Sequence, residues 1–409
     1  MNKIPNGWKE KKLKYIAEIT SSKRIYEYEY VDSGIPFYRG KEITALKNNQ
    51  KIENFIYISE KRYNELKEKY GVPSKYDILI TAVGTVGNAY TIEDDKPFYF
   101  KDGNLLWLKN IKEYPKFVEY LFECNKNVLL NNFFGSVQHA LTISRLEDLT
   151  FYFPPLDEQK RIASALSKID AYLENTIKLI EEKERFKRGI AKKLLTCKEG
   201  ENIPEARFKG FENEWEIVKL GDICLINNKS LKENTDKDYK FKYIDLTAVK
   251  KGIINFSNDY TTFENAPISA RRIINKNDII MATVRPYLLG HAFIDFEAKD
   301  YICSKGFAVL TANSNIEMKY IYQYLYSDDM AKQIKSRLVG STYPTIRLSD
   351  IKELKIKIPK SIKEQEKIGG YLSLLDAEID NLKKQKELIK EMKRGAMQKL
   401  LSGEVRLLE

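Results

Sequence analysis

Arginine, lysine, tyrosine, asparagine and threonine gather beside glycines at the expected ends of strands. These are the side chains that hydrogen-bond base edges and phosphates. In the first half of the chain they are Tyr38-Arg39-Gly40-Lys41, Thr81 with Thr85 and Asn88, and Ser136, Gln138 and His139. In the second half they are Arg271-Arg272, Thr283 with Arg285 and Tyr287, and Ser341, Tyr343 and Arg347. Neighbouring glycines would let the backbone approach a ligand closely. Any one of these residues also suits a plain turn; the DNA-contact reading rests on the groups together.

Enzymatic constellations are missing. The stretch from Gly34 to Lys41 has five residues between its glycines, and Glu42 stands where a P-loop needs Ser or Thr. Gly84 and Gly87 form only a G-x-x-G, which a tight turn explains. There is no G-x-S-x-G elbow, no H-E-x-x-H and no kinase set. Nor is there the glycine-rich cofactor loop or the Asn/Asp-Pro-Pro-aromatic tetrapeptide of amino-methyltransferases, to which Phe153-Pro154-Pro155-Leu156 has only a superficial likeness. No catalytic residue is assigned.

Metal and disulfide chemistry are equally unsupported. Cys124, Cys197, Cys224 and Cys303 form no C-x-x-C pair, and the histidines are only His139 and His291. Each histidine reads either as a turn or surface residue or as a base contact peculiar to its half. Lys+Arg 69 against Asp+Glu 58 gives a net charge of +11, which permits a polyanionic partner without proving one. Hydrophobic residues at 43% are enough for real cores and exclude wholesale disorder. No apolar run approaches the roughly 18 residues of a membrane span, and the polar start lacks a signal-peptide run, so a cytoplasmic protein is expected.

What must position these groups is a frame written twice. Between 158–196 and 364–402, 16 of 39 positions are identical without a gap. Glu158-Gln159 returns as Glu364-Gln365, Asp170-Ala171 as Asp376-Ala377, and Lys187-Arg188-Gly189 as Lys393-Arg394-Gly395. The echo continues in Trp8 to Leu13 against Trp215 to Leu220, and in Asp77-Ile78-Leu79-Ile80 against Asp278-Ile279-Ile280-Met281. Between these anchors the copies diverge almost completely. A reader of two different things would keep its frame and change its reading surface in this way.

The repeated segments are long helices. Ile162, Leu166, Ile169, Leu173, Ile177 and Ile180 form an apolar stripe in the first, and Ile368, Leu372, Leu375, Ile379, Leu382 and Ile389 in the second, interrupted by Lys386. This spacing predicts a coiled-coil seam on helices about 60 Å long, each packed antiparallel on the other. The divergent regions read as mixed α and β. Leu354, Ile356 and Ile358 alternate with lysines, Phe151 and Phe153 do likewise, and 119–130 and 317–325 look helical. The expected class is α+β, with two regions at 1–155 and 199–360, helices at 156–198 and 361–409, and a polar linker over 198–214.

This layout resembles the specificity subunit of type I restriction-modification enzymes. The resemblance is carried by Pro154-Pro155-Leu156 with Glu158-Gln159-x-x-Ile162, by Glu364-Gln365-x-x-Ile368, by Gly7-Trp8 and Trp215, and by the Gly340 to Ile346 and Gly135 to Ile143 segments. The second proline stretch, Ile358-Pro359-Lys360-Ser361, departs from Pro-Pro-Leu. The resemblance implies two pseudo-two-fold-related target-recognition domains, each reading half of a split double-stranded DNA target. The antiparallel helices would set the half-site spacing and dock two modification subunits. Those partners would bind S-adenosylmethionine, restriction subunits using ATP and Mg²⁺ would join them, and this chain would hold no cofactor, no metal and no catalytic group. The rival class is a duplicated coiled-coil scaffold that gathers protein partners without reading DNA; a stand-alone methyltransferase or nuclease lacks its motifs.

Overall fold

The computed structural model describes residues 5–130, 140–198, 200–313 and 315–408. They form two compact units, one of residues 1–178 with 384–409, the other of 179–383. Both units are built from the same repeated anchors.

Each divergent region opens on a tryptophan and a short strand. Lys9–Lys12 pairs antiparallel with Thr150–Phe153, and Glu216–Lys219 with Lys355–Ile358. Alternation puts Phe151 and Phe153, or Ile356 and Ile358, into the core and leaves Tyr152 exposed. The chain then turns inward at Leu13 or Leu220, both fully buried, whose amides donate to the Leu149 and Leu354 carbonyls.

The second strand of each pair leads straight into a long helix. The helices run Leu156–Leu195 and Ile362–Leu401, 40 residues each, and start in the same repeat register despite the altered second proline stretch. Glu158 and Gln159, like Glu364 and Gln365, are buried at these starts. The Gln159 amide donates to the Pro154 carbonyl and to Glu113, and its oxygen accepts from the Tyr114 amide. Gln365 donates to the Pro359 carbonyl and accepts from the Glu317 amide. Each glutamine thus satisfies backbone groups that the helix start and the adjoining loop leave open. The glutamates are held from the segment that follows the other long helix. Arg406 reaches Glu158 through two nitrogens at 2.7 and 2.8 Å, and Arg207 reaches Glu364 at 2.8 Å through both. Trp215 Nε1 also donates to Glu364. The 198–214 stretch that joins the halves is accordingly tied down, with the amides of Lys198 and Ala206 bonded to the Ile203 and Lys193 carbonyls.

Within each unit, the start of one long helix lies antiparallel beside the end of the other. Ile162, Ala163 and Leu166 share a core with Met397, Leu400 and Leu401; Ile368, Leu372 and Leu375 share one with Leu194 and Leu195. Lys393 pairs with Asp170 at 2.8 Å, and Lys187 with Asp376 at 2.5 Å, the same two repeat positions exchanged. The seam keeps Ile180, Ile379 and Ile389 buried, with Ile169, Leu173 and Leu382 partly buried. Ile177 departs from the expected stripe. It is 37% exposed, and Thr176 is buried in its place. Strict alternation of four and three from Ile162 lands on 176 rather than 177. The threonine hydroxyl is satisfied by the Tyr172 carbonyl at 2.8 Å.

The divergent regions share the order of one sheet, while their second sheets are wired differently, with the parallel pair at the edge in the first unit and central in the second. In the first unit the order Glu18–Thr20, Leu105–Lys109, Ile78–Thr81, Ala89–Thr91 makes a four-stranded sheet; in the second it is Cys224–Ile226, Phe307–Ala312, Ile279–Ala282, His291–Phe293. A second sheet in each contains a parallel pair, Ile35–Tyr38 with Tyr99–Phe100 and Lys240–Ile244 with Tyr301–Ser304. Helices Pro115–Cys124 and Met318–Tyr324 bind these sheets to the long helices. The expected 119–130 span is helical, but it starts earlier, at Pro115, and is broken at Asn125, which donates twice to the Leu121 carbonyl before Lys126–Leu130 resumes as helix. Tyr120 donates to Asp170 at 2.6 Å, and Gln323 to Asp376 at 2.8 Å. A Cβ on Gly369 would come within 2.6 Å of the Tyr320 amide nitrogen, so only glycine allows this crossing; Ala163 holds the repeat-equivalent place.

Removing Glu364 should strand Arg207 at a buried site. Glu364→Ala is expected to destabilise the second unit by about 3 kcal/mol, read as a lower denaturant midpoint for that unit's transition. An unchanged midpoint would show that the buried pair is not what anchors the helix start.

Candidate nucleic-acid interface

The central strands Ile78–Thr81 and Ile279–Ala282 are buried throughout. Each ends where the sequence turns polar, so the loops that follow are the places where polar groups emerge from a rigid core. In the first unit, Thr81 Oγ1 donates to the Thr85 carbonyl and accepts from the Asn88 amide, which closes the 82–88 turn. Thr85 faces Thr44 at 3.3 Å across the first turns of helix Gly40–Lys47. Asn88 donates to Thr44 and accepts from Lys126 at 2.6 Å. Lys41 lies one turn before Thr44 and is exposed. Thr44, Thr85, Asn88 and Lys126 therefore form one polar patch with a cationic end, while the Lys41 ammonium lies 3.6 Å from the Glu42 carboxylate.

Tyr38 and Arg39 face inward instead. Tyr38 stacks on Phe98 with ring centroids 4.7 Å apart. Arg39 donates to the buried Glu42 from its backbone and its side chain, at 2.8 to 3.3 Å. Burial pushes the Glu42 carboxyl up, but the Arg39 hydrogen bonds outweigh it and hold the group below the usual carboxylate range. Arg39 thus fixes the helix start and is a poor candidate for a free base contact. Ser136, Gln138 and His139 lie outside the described residues.

In the second unit, Thr283, Arg285 and Tyr343 come together. Thr283 Oγ1 donates to the Gly306 carbonyl, and its own carbonyl accepts from the Ile346 amide. The Arg285 guanidinium lies 4.4 Å over the Tyr343 ring. Tyr287, Ser341 and Arg347 are exposed on the same two loops. Arg271 and Arg272 sit on the other sheet. Arg271 lies 4.3 Å over Phe263, and Arg272 donates to Ser230 at 3.0 Å.

Three basic residues escaped the sequence reading. Lys126 lies beyond the break at Asn125, and burial with nearby Lys47 holds its ammonium below the usual lysine range. Lys250 ends the first strand of a short hairpin, Lys251 stands at its tip, and the Lys251 amide donates to the Leu289 carbonyl. The pair Lys251-Gly252 was the available signal for that tip. His291 is corrected in both its readings. It is neither on the surface nor at a reading edge, but fully buried in a strand opposite Met281, its ring against Tyr326 and neither nitrogen bonded.

Each unit thus carries the same central sheet order with different polar groups at the same strand end. Residues 5–182 and 212–391 each match the type I restriction modification DNA specificity domain, and the chain belongs to that family, carrying its domain twice. The putative type I restriction enzyme MjaX specificity subunit of Methanocaldococcus jannaschii is 24% identical over 100% of this chain and 96% of its own length. A putative specificity subunit of Haemophilus influenzae is 34% identical over 40% of each chain. The fold is shared with the crystal structure of a type I restriction-modification S subunit from M. genitalium, at a TM-score of 0.62 and 20% identity over 98% of this chain and 97% of that one. No helix among the described residues is long and apolar enough to cross a membrane.

Burial holds the His291 imidazole down at about 4. Unfolded histidine protonates near 6.5, so the unfolded chain binds this proton first. The stability that depends on a neutral His291 is complete above about pH 6.5 and is lost as pH falls toward 4. Between pH 7.5 and 5 the loss should be about 2 kcal/mol in the wild type and absent in His291→Phe, measured by urea unfolding at each pH. Equal pH slopes for the two proteins would contradict the assignment.

Proposed function

We propose that this chain is the DNA-reading, non-catalytic subunit of a type I restriction-modification system. Residues 1–155 and 199–360 serve as target-recognition domains, one for each half of a bipartite duplex target. The spacer segments 156–198 and 361–409 set the distance between half-sites and dock two modification subunits. Those subunits carry S-adenosylmethionine, and restriction subunits with ATP and Mg²⁺ act through them. The carrying observation is that both units keep the same central four-stranded sheet order and the same helix-start contacts while their strand-end side chains differ. Basic groups add a salt-dependent affinity blind to sequence, and base contacts add the discrimination. A scaffold without DNA readout has no need to vary those loops and keep everything behind them.

Exchanging residues 1–150 for the first region of another family member should change one half-site of the bound sequence and leave the other intact. This is checked by sequencing duplexes retained by the complex with modification subunits; a change in both halves would contradict modular reading. Inserting one heptad into each long helix should widen the unspecified gap by up to about 3 base pairs, given a rise of about 1.5 Å per residue. A constant gap would remove the ruler role. Retention of all duplexes equally would favour the scaffold.

A further inference from the structure

Thr283 to Leu289 leave the central strand of the second unit through a turn that is costly to make. Arg285 and Leu289 both lie in the left-handed region, with φ of 46° and 57°, on either side of the Pro286–Leu288 turn. Non-glycine residues are disfavoured there, and such positions persist only where the surroundings hold them. The surroundings here are the 339–347 loop. The Arg285 amide donates to the Pro344 carbonyl at 2.7 Å, and Arg285 Nη2 donates to the Thr342 carbonyl at 3.2 Å.

Among the described residues the guanidinium itself lacks a counter-charge, as do those of Arg271 and Arg272 in the same unit. Arg24, Arg39, Arg62, Arg207 and Arg406 each pair with a carboxylate. Among the described residues Arg285 has no such partner. Its face is covered by the Tyr343 ring, and its Nε is buried without an acceptor. Stacking leaves the Nη1 end and one Nη2 hydrogen free at the rim, a planar pair of donors held at a fixed angle. Tyr287, Leu288 and Tyr343 around it are 51%, 59% and 64% exposed, an apolar collar that would exclude water once covered. Lys251, hydrogen-bonded through its backbone to Leu289, supplies a nearby cation suited to a phosphate. A planar fork of two donors without a counter-charge matches the O6 and N7 acceptor pair of guanine in the major groove.

We propose that Arg285 reads a guanine in the half-site bound by the second unit, with Tyr343 as the positioning residue that holds it flat. This deepens the DNA-reading function proposed above and rests on it. The strained backbone offers a tolerated variant, because glycine accepts a positive φ and keeps the amide bond to Pro344, so that Arg285→Gly trades the side-chain tie to Thr342 for relief of backbone strain.

The test uses the full chain assembled with modification subunits and a pool of duplexes randomised one position at a time. Arg285→Gly should lose about 10- to 100-fold discrimination at one G·C pair of one half-site, with the other half-site unchanged. Tyr343→Phe should retain that discrimination, and Tyr343→Ala should lose most of it at the same base pair. Three results would overturn the assignment: an unaltered sequence profile in Arg285→Gly, a loss confined to an A·T pair, or a uniform weakening for all sequences. In each of them the wild type still shows a bipartite target, so the DNA-reading function stands while the role of Arg285 falls. A wild-type complex with no preferred sequence would instead remove the function beneath it.

Discussion

The buried Glu-Gln pair at the start of each long helix is the constraint on which the rest depends. A 40-residue helix that grew directly from a strand would leave open amides, carbonyls and a buried carboxylate at the junction. Gln159 and Gln365 take the backbone groups, and Arg406 and Arg207 take the charge. Because each arginine arrives from the segment after the opposite helix, the junction joins three parts of the chain at one point. Loss of one partner leaves a desolvated charge, which costs far more than a surface ion pair.

A second layer of charge locks the mixed α/β region to the helices. Asp170 accepts from Tyr120 and Lys393, and Asp376 from Gln323 and Lys187. In the first unit Lys393 also holds Glu123, which Lys47 holds from the other side. Burial alone would push Glu123 up, but Lys47 and Lys393 outweigh it and keep it below the usual carboxylate range. The loops at the strand ends are therefore carried on a support whose carboxylates Glu158, Glu364 and Glu123 are paired without them. That division lets the strand-end loops change while the contacts behind them stay the same.

The frame was legible because it is local and written twice. A helix start, a heptad stripe and a tryptophan before a short strand leave marks within a few residues, and the second copy gives the register. The one error in the stripe, Ile177 for Thr176, came from preferring an apolar residue over strict spacing. The common order of the central sheet was not legible, since strand pairing joins distant segments and the two copies share almost no side chains there. Arg39 shows a further limit. Its type suits a base contact, yet Glu42 three residues on claims it, a pairing that the i to i+3 spacing could have signalled. Lys126 and Lys251 lay hidden beside a helix break and in a hairpin tip.

On the proposed function, two different readers held by one repeated support require a target in two parts. Sequencing the duplexes that the assembled complex retains from a fully random pool tests this most directly. Two short specified blocks separated by an unspecified gap of constant length are the predicted result. A single continuous block, or blocks at variable separation, would contradict it.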